Sequence, residues 1–147
     1  MSEKNDVAGA LVKLSFLVQS VYAEVSEASG LTPQQAQLMC VLCSESLGMA
    51  QLAQTLGIEK SSLTGLVDRV EKLGFVTRTI SQSDARSSIV QLTKIGTNVV
   101  LKFRGEATSK LNELVSCMPK KYRDTFTDIA GRIVTEHEVP AVFTQVS

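Results

Sequence analysis

Apolar residues recur at intervals of three and four from the seventh residue onward. Val7, Ala10, Leu11, Leu14, Leu17, Val18, Val21 and Val25 make one continuous stripe, the period of an amphipathic helix. It closes near Ser29-Gly30. The next segment, LTPQQAQLMCVLC, carries its own start signal. Thr32 can cap, Pro33 suits the first turn, and Gln35 completes a capping box. That helix is expected to last to about Ser44. MAQLAQTLGI predicts a short helix closed by Gly57. KSSLTGLVDRVEKLGF predicts another, with Leu63, Leu66, Val67, Val70 and Leu73 on one face and Gly74 at its end. Two short helices joined by a tight glycine-containing turn form a helix-turn-helix pattern.

The period then changes. VTRTIS and SIVQL are rich in β-branched residues and flank the polar loop Gln82–Ser87, which predicts a hairpin. From Thr93 a long helix is expected to about Cys117, with Ile95, Val99, Val100, Phe103, Ala107, Leu111, Leu114 and Val115 on its apolar stripe. Pro119 breaks it. A last helix carries Tyr122, Phe126, Ile129, Ala130, Ile133 and Val134 and stops before Pro140. The expected fold is mainly α (α+β), a winged helix-turn-helix over residues 31–97. A helical dimerisation region would be built from both chain ends, 1–30 and 98–147. The terminal helices carry more continuous apolar surface than one small core can cover, and an intertwined homodimer is the natural solution.

Composition narrows this further. At 147 residues, with 44% apolar and 20% charged residues, the chain reads as soluble and globular. No run approaches the roughly 18 apolar residues that span a bilayer. The polar start, MSEKNDV, lacks the apolar core of a secretion signal. A cytoplasmic protein with no membrane partner is the expectation. Net charge is zero, but its distribution is uneven. From Lys60 to Arg104 eight bases stand against three acids, a net of +5, and no base lies between Leu14 and Glu59. A basic middle in a neutral chain suggests an anionic partner. A solvated charged face is the plainer reading of the same residues.

The run LTPQQ…LAQTLGIEKSSLTGLVDRVEKLGFVTR…DAR…VQLTKIG resembles the MarR (multiple antibiotic resistance regulator) family of bacterial transcription factors. The resemblance extends from about Val7 to Val139 and is most specific between Leu52 and Gly96. The glycine-aliphatic turn, the LVDRVEKLG helix end, Arg78 and the Asp84-x-Arg86 pair all fall in the family's register. It implies a dimeric winged helix-turn-helix protein, usually a repressor, released from its operator by a small ligand or by thiol oxidation. The chain departs from the family pattern at Ala85, where a first wing arginine is common. It departs also at Gly65, where many members carry a long polar residue, and at Ala36, where an aromatic is common.

On this reading Asp84 hydrogen-bonds turn amides and braces Arg86, which projects from the hairpin tip beside Ser87 toward a narrow A·T-rich minor groove. Thr93 caps the helix that returns to the dimer interface. Recognition falls to the helix from Lys60, where Ser61, Ser62 and Thr64 are short enough to approach base edges or phosphates. Helix capping is the alternative for the two serines. Lys60, Arg69 and Lys72 suit the DNA backbone, and Arg78 is a further DNA-binding candidate. The expected partner is double-stranded DNA bearing a pseudo-palindromic operator.

Cys40-x-x-Cys43 has the spacing of a redox or metal pair, but it lies on a predicted helix among apolar residues, and zinc needs two further ligands. Buried inert thiols are the expectation for this pair, with Cys117 and His137 far off in sequence and His137 at a surface or interface. No metal or cofactor is expected. The family's effector cleft would draw on Phe16, Gln19, Gln35, Met39 and Phe103, apolar walls with a few polar anchors. Each of these is also an ordinary core candidate. The expected effector is small and aromatic, with the thiols as bystanders.

An enzyme is the first rival. One histidine, no glycine-rich phosphate loop, no nucleophile elbow and no clustered carboxylates argue against it. A thiol-based redox-sensing repressor of the same fold is a second. A winged-helix module that binds protein is a third, and it would leave Arg86 and the basic segment idle.

Overall fold

The computed structural model describes residues 6–80 and 88–139. In chain order the elements are α1 (Val7–Ala28), α2 (Pro33–Leu42), β1 (Leu47–Gly48), α3 (Met49–Leu56), α4 (Lys60–Lys72), β2 (Val76–Ile80), β3 (Ser88–Leu92), α5 (Lys94–Leu114) and α6 (Lys120–Glu136). The helix starts follow local chemistry. Asp6 accepts from the Gly9 amide at 2.7 Å to open α1. At α2, Thr32 Oγ1 accepts from the Gln35 amide at 3.2 Å while Gln35 Oε1 accepts from the Thr32 amide at 3.1 Å. This is the reciprocal box anticipated from sequence, and it satisfies two otherwise orphaned donors. Gly57 ends α3 at φ 65°, a left-handed conformation that a Cβ would strain.

The sheet is antiparallel and three-stranded, in the order β1-β3-β2. Val76 pairs with Leu92 and Ile80 with Ser88, while Leu47 and Gly48 pair with Val90 and Ile89. The sequence pattern anticipated the hairpin and missed β1, a two-residue strand too short to show a period. Helix-turn-helix α3–α4 followed by the β2–β3 hairpin makes a winged helix-turn-helix.

One core holds the winged unit against the long helices. Leu38 and Met39 of α2, Leu52 of α3, Leu63 and Val67 of α4, Val90 of β3 and Val100 and Phe103 of α5 are all fully buried in it. α1 contributes Val21 and Val25 from its C-terminal half, and Tyr22 meets the Phe103 ring edge-on at 5.3 Å between centroids.

The ends of the chain are different. No residue of α6 is buried. Tyr122, Phe126 and Ile129 are each more than half exposed, as are Leu11 and Phe16 on α1. An open groove of about 630 Å³ runs between these helices, lined by Leu14, Leu17, Leu111, Met118, Tyr122 and Phe126 among others. α1 also corrects the sequence expectation about membrane spans. Its 22 residues, with a mean hydropathy of 1.2 in the best window, are long and apolar enough to cross a bilayer by length and composition. The expectation counted uninterrupted apolar residues, whereas the average tolerates the Lys13, Ser15 and Gln19 that break the run.

Candidate nucleic-acid interface

α4 is fixed from behind and open in front. Leu63, Leu66, Val67 and Val70 are buried, and the face bearing Lys60, Ser61, Ser62, Thr64 and Arg69 is exposed. The residue preceding the helix, Glu59, takes the N-cap position without a side-chain cap bond. Ser61 and Ser62 therefore lie within the first turn and do not cap it. The amides of that turn are free of a capping side chain, and the helix dipole adds partial positive charge there. Thr64 spends its hydroxyl on the Lys60 carbonyl at 3.0 Å.

Arg78 sits on β2 and turns toward the same helix. Its Nη2 donates to Asp68 Oδ1 at 2.5 Å, and its Nη1 lies 3.5 Å from Glu71 Oε1. Two carboxylates on α4 thus hold one guanidinium on the wing strand. The sequence makes Arg78 a DNA-binding candidate; in the structure it ties the wing strand to α4. Glu71 was not singled out in the sequence, although its spacing of three from Asp68 puts both acids on one helix face.

The wing returns to the body through one tight joint. Thr93 Oγ1 donates to the Gly74 carbonyl at 2.6 Å and accepts from the Gly96 amide at 3.0 Å. The Thr93 amide donates to the Phe75 carbonyl at 2.9 Å. Thr93 therefore caps α5, as its sequence context implied, and also ties it to the turn after α4. Asp84, Arg86 and Ser87, assigned to the hairpin tip, lie outside the described residues.

The five residues considered for an effector cleft differ in their setting. Phe16 and Gln19 are exposed on α1. Gln35 is buried and engaged in the α2 cap, and Met39 and Phe103 are fully buried core.

Two thiols share a setting with a cation. Cys40 is buried, and its thiol is pushed up to about 12, mainly by burial, with the Arg104 charge opposing and Cys43 adding. Burial also raises the Tyr22 phenol, with Cys40 adding and Arg104 opposing. Cys43 is half-buried and accepts from Arg104 Nη1 at 3.5 Å. Residues 61 apart in sequence meet here, so nothing local announced the contact. Cys117 is exposed, and His137 is exposed at the C-cap of α6. Among the described residues no group of three or more His, Cys, Asp or Glu is placed to hold a metal ion.

Comparison with known proteins bears on this geometry. Residues 29–87, from the end of α1 to the residue before β3, match the model of the MarR family. An uncharacterised helix-turn-helix transcriptional regulator of Bacillus subtilis, YfiV, is 42% identical over 73 residues, covering 50% of this chain and 44% of its own. The chain thus spans less than half the length of that relative. Among solved structures, apo MarR of E. coli superposes with a TM-score of 0.80 at 18% identity, over 90% of this chain and 99% of that one. The repressor CouR bound to a 23-mer DNA duplex gives 0.75 at 24% identity, over 88% and 92%. CouR of Rhodococcus jostii RHA1 bound to p-coumaroyl-CoA gives 0.68 at 21%, over 86% and 92%. At these identities the structures establish the fold alone. The chain has the winged helix-turn-helix fold, and its residues 29–87 are similar to the MarR family.

Proposed function

We propose that this chain is a cytoplasmic, homodimeric, sequence-specific DNA-binding regulator, acting as a repressor that a small ligand releases from its operator. The observation that carries the reading is α4. It is an anchored helix whose exposed face begins with an uncapped first turn and carries Lys60, Ser61, Ser62, Thr64 and Arg69. Such a helix fits the major groove, with its N-terminal residues at the base edges. Arg86 and Ser87 at the wing would add minor-groove and backbone contacts, with Asp84 bracing the turn. Residues 31–97 serve DNA and residues 1–30 with 98–147 serve dimerisation.

The dimer reading is supported by α6, none of whose residues is buried within its own chain, and by the apolar groove it forms with α1 and α5. A second copy covering that groove would bury the exposed apolar side chains of α1 and α6. Repression and ligand release are supported by CouR, a repressor captured with DNA in one structure and with p-coumaroyl-CoA in another. A small, largely apolar, aromatic ligand wedged between the dimer helices and the winged unit would change the spacing of the two α4 helices. A tenfold loss of DNA affinity needs only about 1.4 kcal/mol of such coupling.

The experiment is selection of DNA fragments by the purified protein, followed by gel-shift on the enriched sequence. One observation favours a second route of release. Cys43 accepts a hydrogen bond from Arg104 where α2 meets α5, so a change at this half-buried thiol would act on the joint between the winged unit and the long helix. Peroxide that releases wild type but not a triple Cys→Ser variant would make the protein a thiol switch; release of both, or of neither, leaves the thiols as bystanders.

A further inference from the structure

Ser61, Gly65 and Arg69 are spaced by four and share one row of α4, clear of the buried Leu63, Leu66, Val67 and Val70. At the middle of that row there is no side chain. A Cβ built on Gly65 would meet one atom within 4 Å beyond the helix's own backbone, Nη1 of Arg69 at 3.5 Å. The Arg69 side chain therefore lies back over bare backbone, in the direction helical side chains lean. Its guanidinium reaches one turn toward the N-terminal half of α4, well ahead of its own Cα.

Apart from Lys60 at the helix start, the other donors near that spot are short or engaged. The Thr64 hydroxyl is spent on the Lys60 carbonyl. Ser61 and Ser62 end one atom beyond Cβ. The wing-strand guanidinium, Arg78, is held by Asp68 and Glu71. Among the described residues Arg69 itself makes no ion pair. It is exposed, long and planar, with a fork of donors that matches the O6 and N7 acceptors of guanine.

We propose that Arg69 is the base-reading residue of α4, its guanidinium passing over Gly65 to take the major-groove edge of one guanine in each half-site. This revises the assignment of Arg69 to the DNA backbone, and it rests on the reading of the chain as a DNA-binding regulator. Gly65 is the enabling residue. A long side chain there would occupy the space the guanidinium crosses.

The test uses the full chain and the sequence it selects from a random DNA library, with every single-base variant of that site measured in turn. Arg69→Lys keeps the charge and loses the fork. It should cut discrimination roughly ten- to hundredfold at one G·C pair per half-site, leaving the order of preference elsewhere and the salt dependence intact. Gly65→Gln, with Arg69 in place, should lose discrimination at that same pair. If Arg69→Lys keeps wild-type discrimination everywhere, the proposal is overturned. It is equally overturned if Arg69→Ala weakens all sequences uniformly and lowers the salt slope by about one per half-site, the mark of a phosphate contact. A wild-type protein that enriches no sequence would be recognised before any variant is made. That outcome removes the DNA-binding reading, and this one with it.

Discussion

The carbonyl oxygen of Phe75 occupies the space where Gly96 would carry a side chain: a Cβ built there would lie 1.9 Å from it. Gly96 is in the first turn of α5, and Phe75 is the residue that leads into β2. Their backbones touch, and Thr93 hydrogen-bonds across the same joint to Gly74 and Phe75. The wing and the long helix are thus registered by backbone, which no side-chain rearrangement can relieve.

Gly96→Ala should therefore destabilise the protein by at least the 1–3 kcal/mol typical of overpacking, or roughly that range if β2 shifts. A melting temperature within about one degree of wild type would show that the joint yields freely. Gly105→Ala, where a Cβ meets nothing within 4 Å, is the matched control and should be neutral or slightly stabilising.

Arg78 and Asp68 should behave as one unit. Each sits partly in solvent, so the pair is worth only about 0.2–1 kcal/mol of stability. Its effect on DNA affinity should be larger, because it fixes the wing relative to α4. Arg78→Ala and Asp68→Ala should each weaken operator binding, and the double variant should be no worse than Arg78→Ala alone. Additive losses would mean that Arg78 also touches DNA directly.

The helices were legible because each combines an apolar period of three and four with a start or stop residue. Thr32 with Gln35, Thr93 and Gly57 act in the structure as their sequence contexts imply. What periodicity does not encode is the partner of a stripe. Val100 and Phe103 on α5 are core, whereas Phe126 and Ile129 on α6, spaced no differently, are more than half exposed. For the same reason Met39 could be read as a cleft residue when it is sealed in the core. β1 was too short to have a pattern. The Arg78–Asp68–Glu71 and Arg104–Cys43 contacts join residues whose pairing depends on the fold. The MarR resemblance extended the reading to DNA, and of the effector candidates drawn with it Met39 and Phe103 are fully buried while Phe16 and Gln19 are exposed.

The three thiols should differ in reactivity. Cys117 is exposed and Cys40 is buried with its thiol pushed up to about 12. An aromatic disulfide reagent should modify Cys117 in the native protein and Cys40 only on unfolding. The raised value also sets a pH dependence. The folded state holds this proton more tightly than the unfolded chain, where the ordinary value is 9.0. The contribution is complete below about pH 9 and is lost as pH rises toward 12. Thermal stability should fall across that window, and a midpoint that rises there would contradict the assignment.

The apolar face of α6 should require a second copy. Phe126→Glu would place a charge in the groove lined by Leu14, Leu17 and Tyr122. It should convert the protein to monomer in sedimentation and lower its helical content, because α6 buries nothing alone. An unchanged dimer would place the interface elsewhere.

The central claim is that two copies of this chain present two α4 helices to one DNA site. Its most direct measurement is the sequence and stoichiometry of the DNA that the purified protein selects. The account predicts an inverted repeat with half-sites about one helical turn apart, roughly 10 bp, bound by two chains. No enriched sequence, or a single unrepeated half-site bound by one chain, would contradict it.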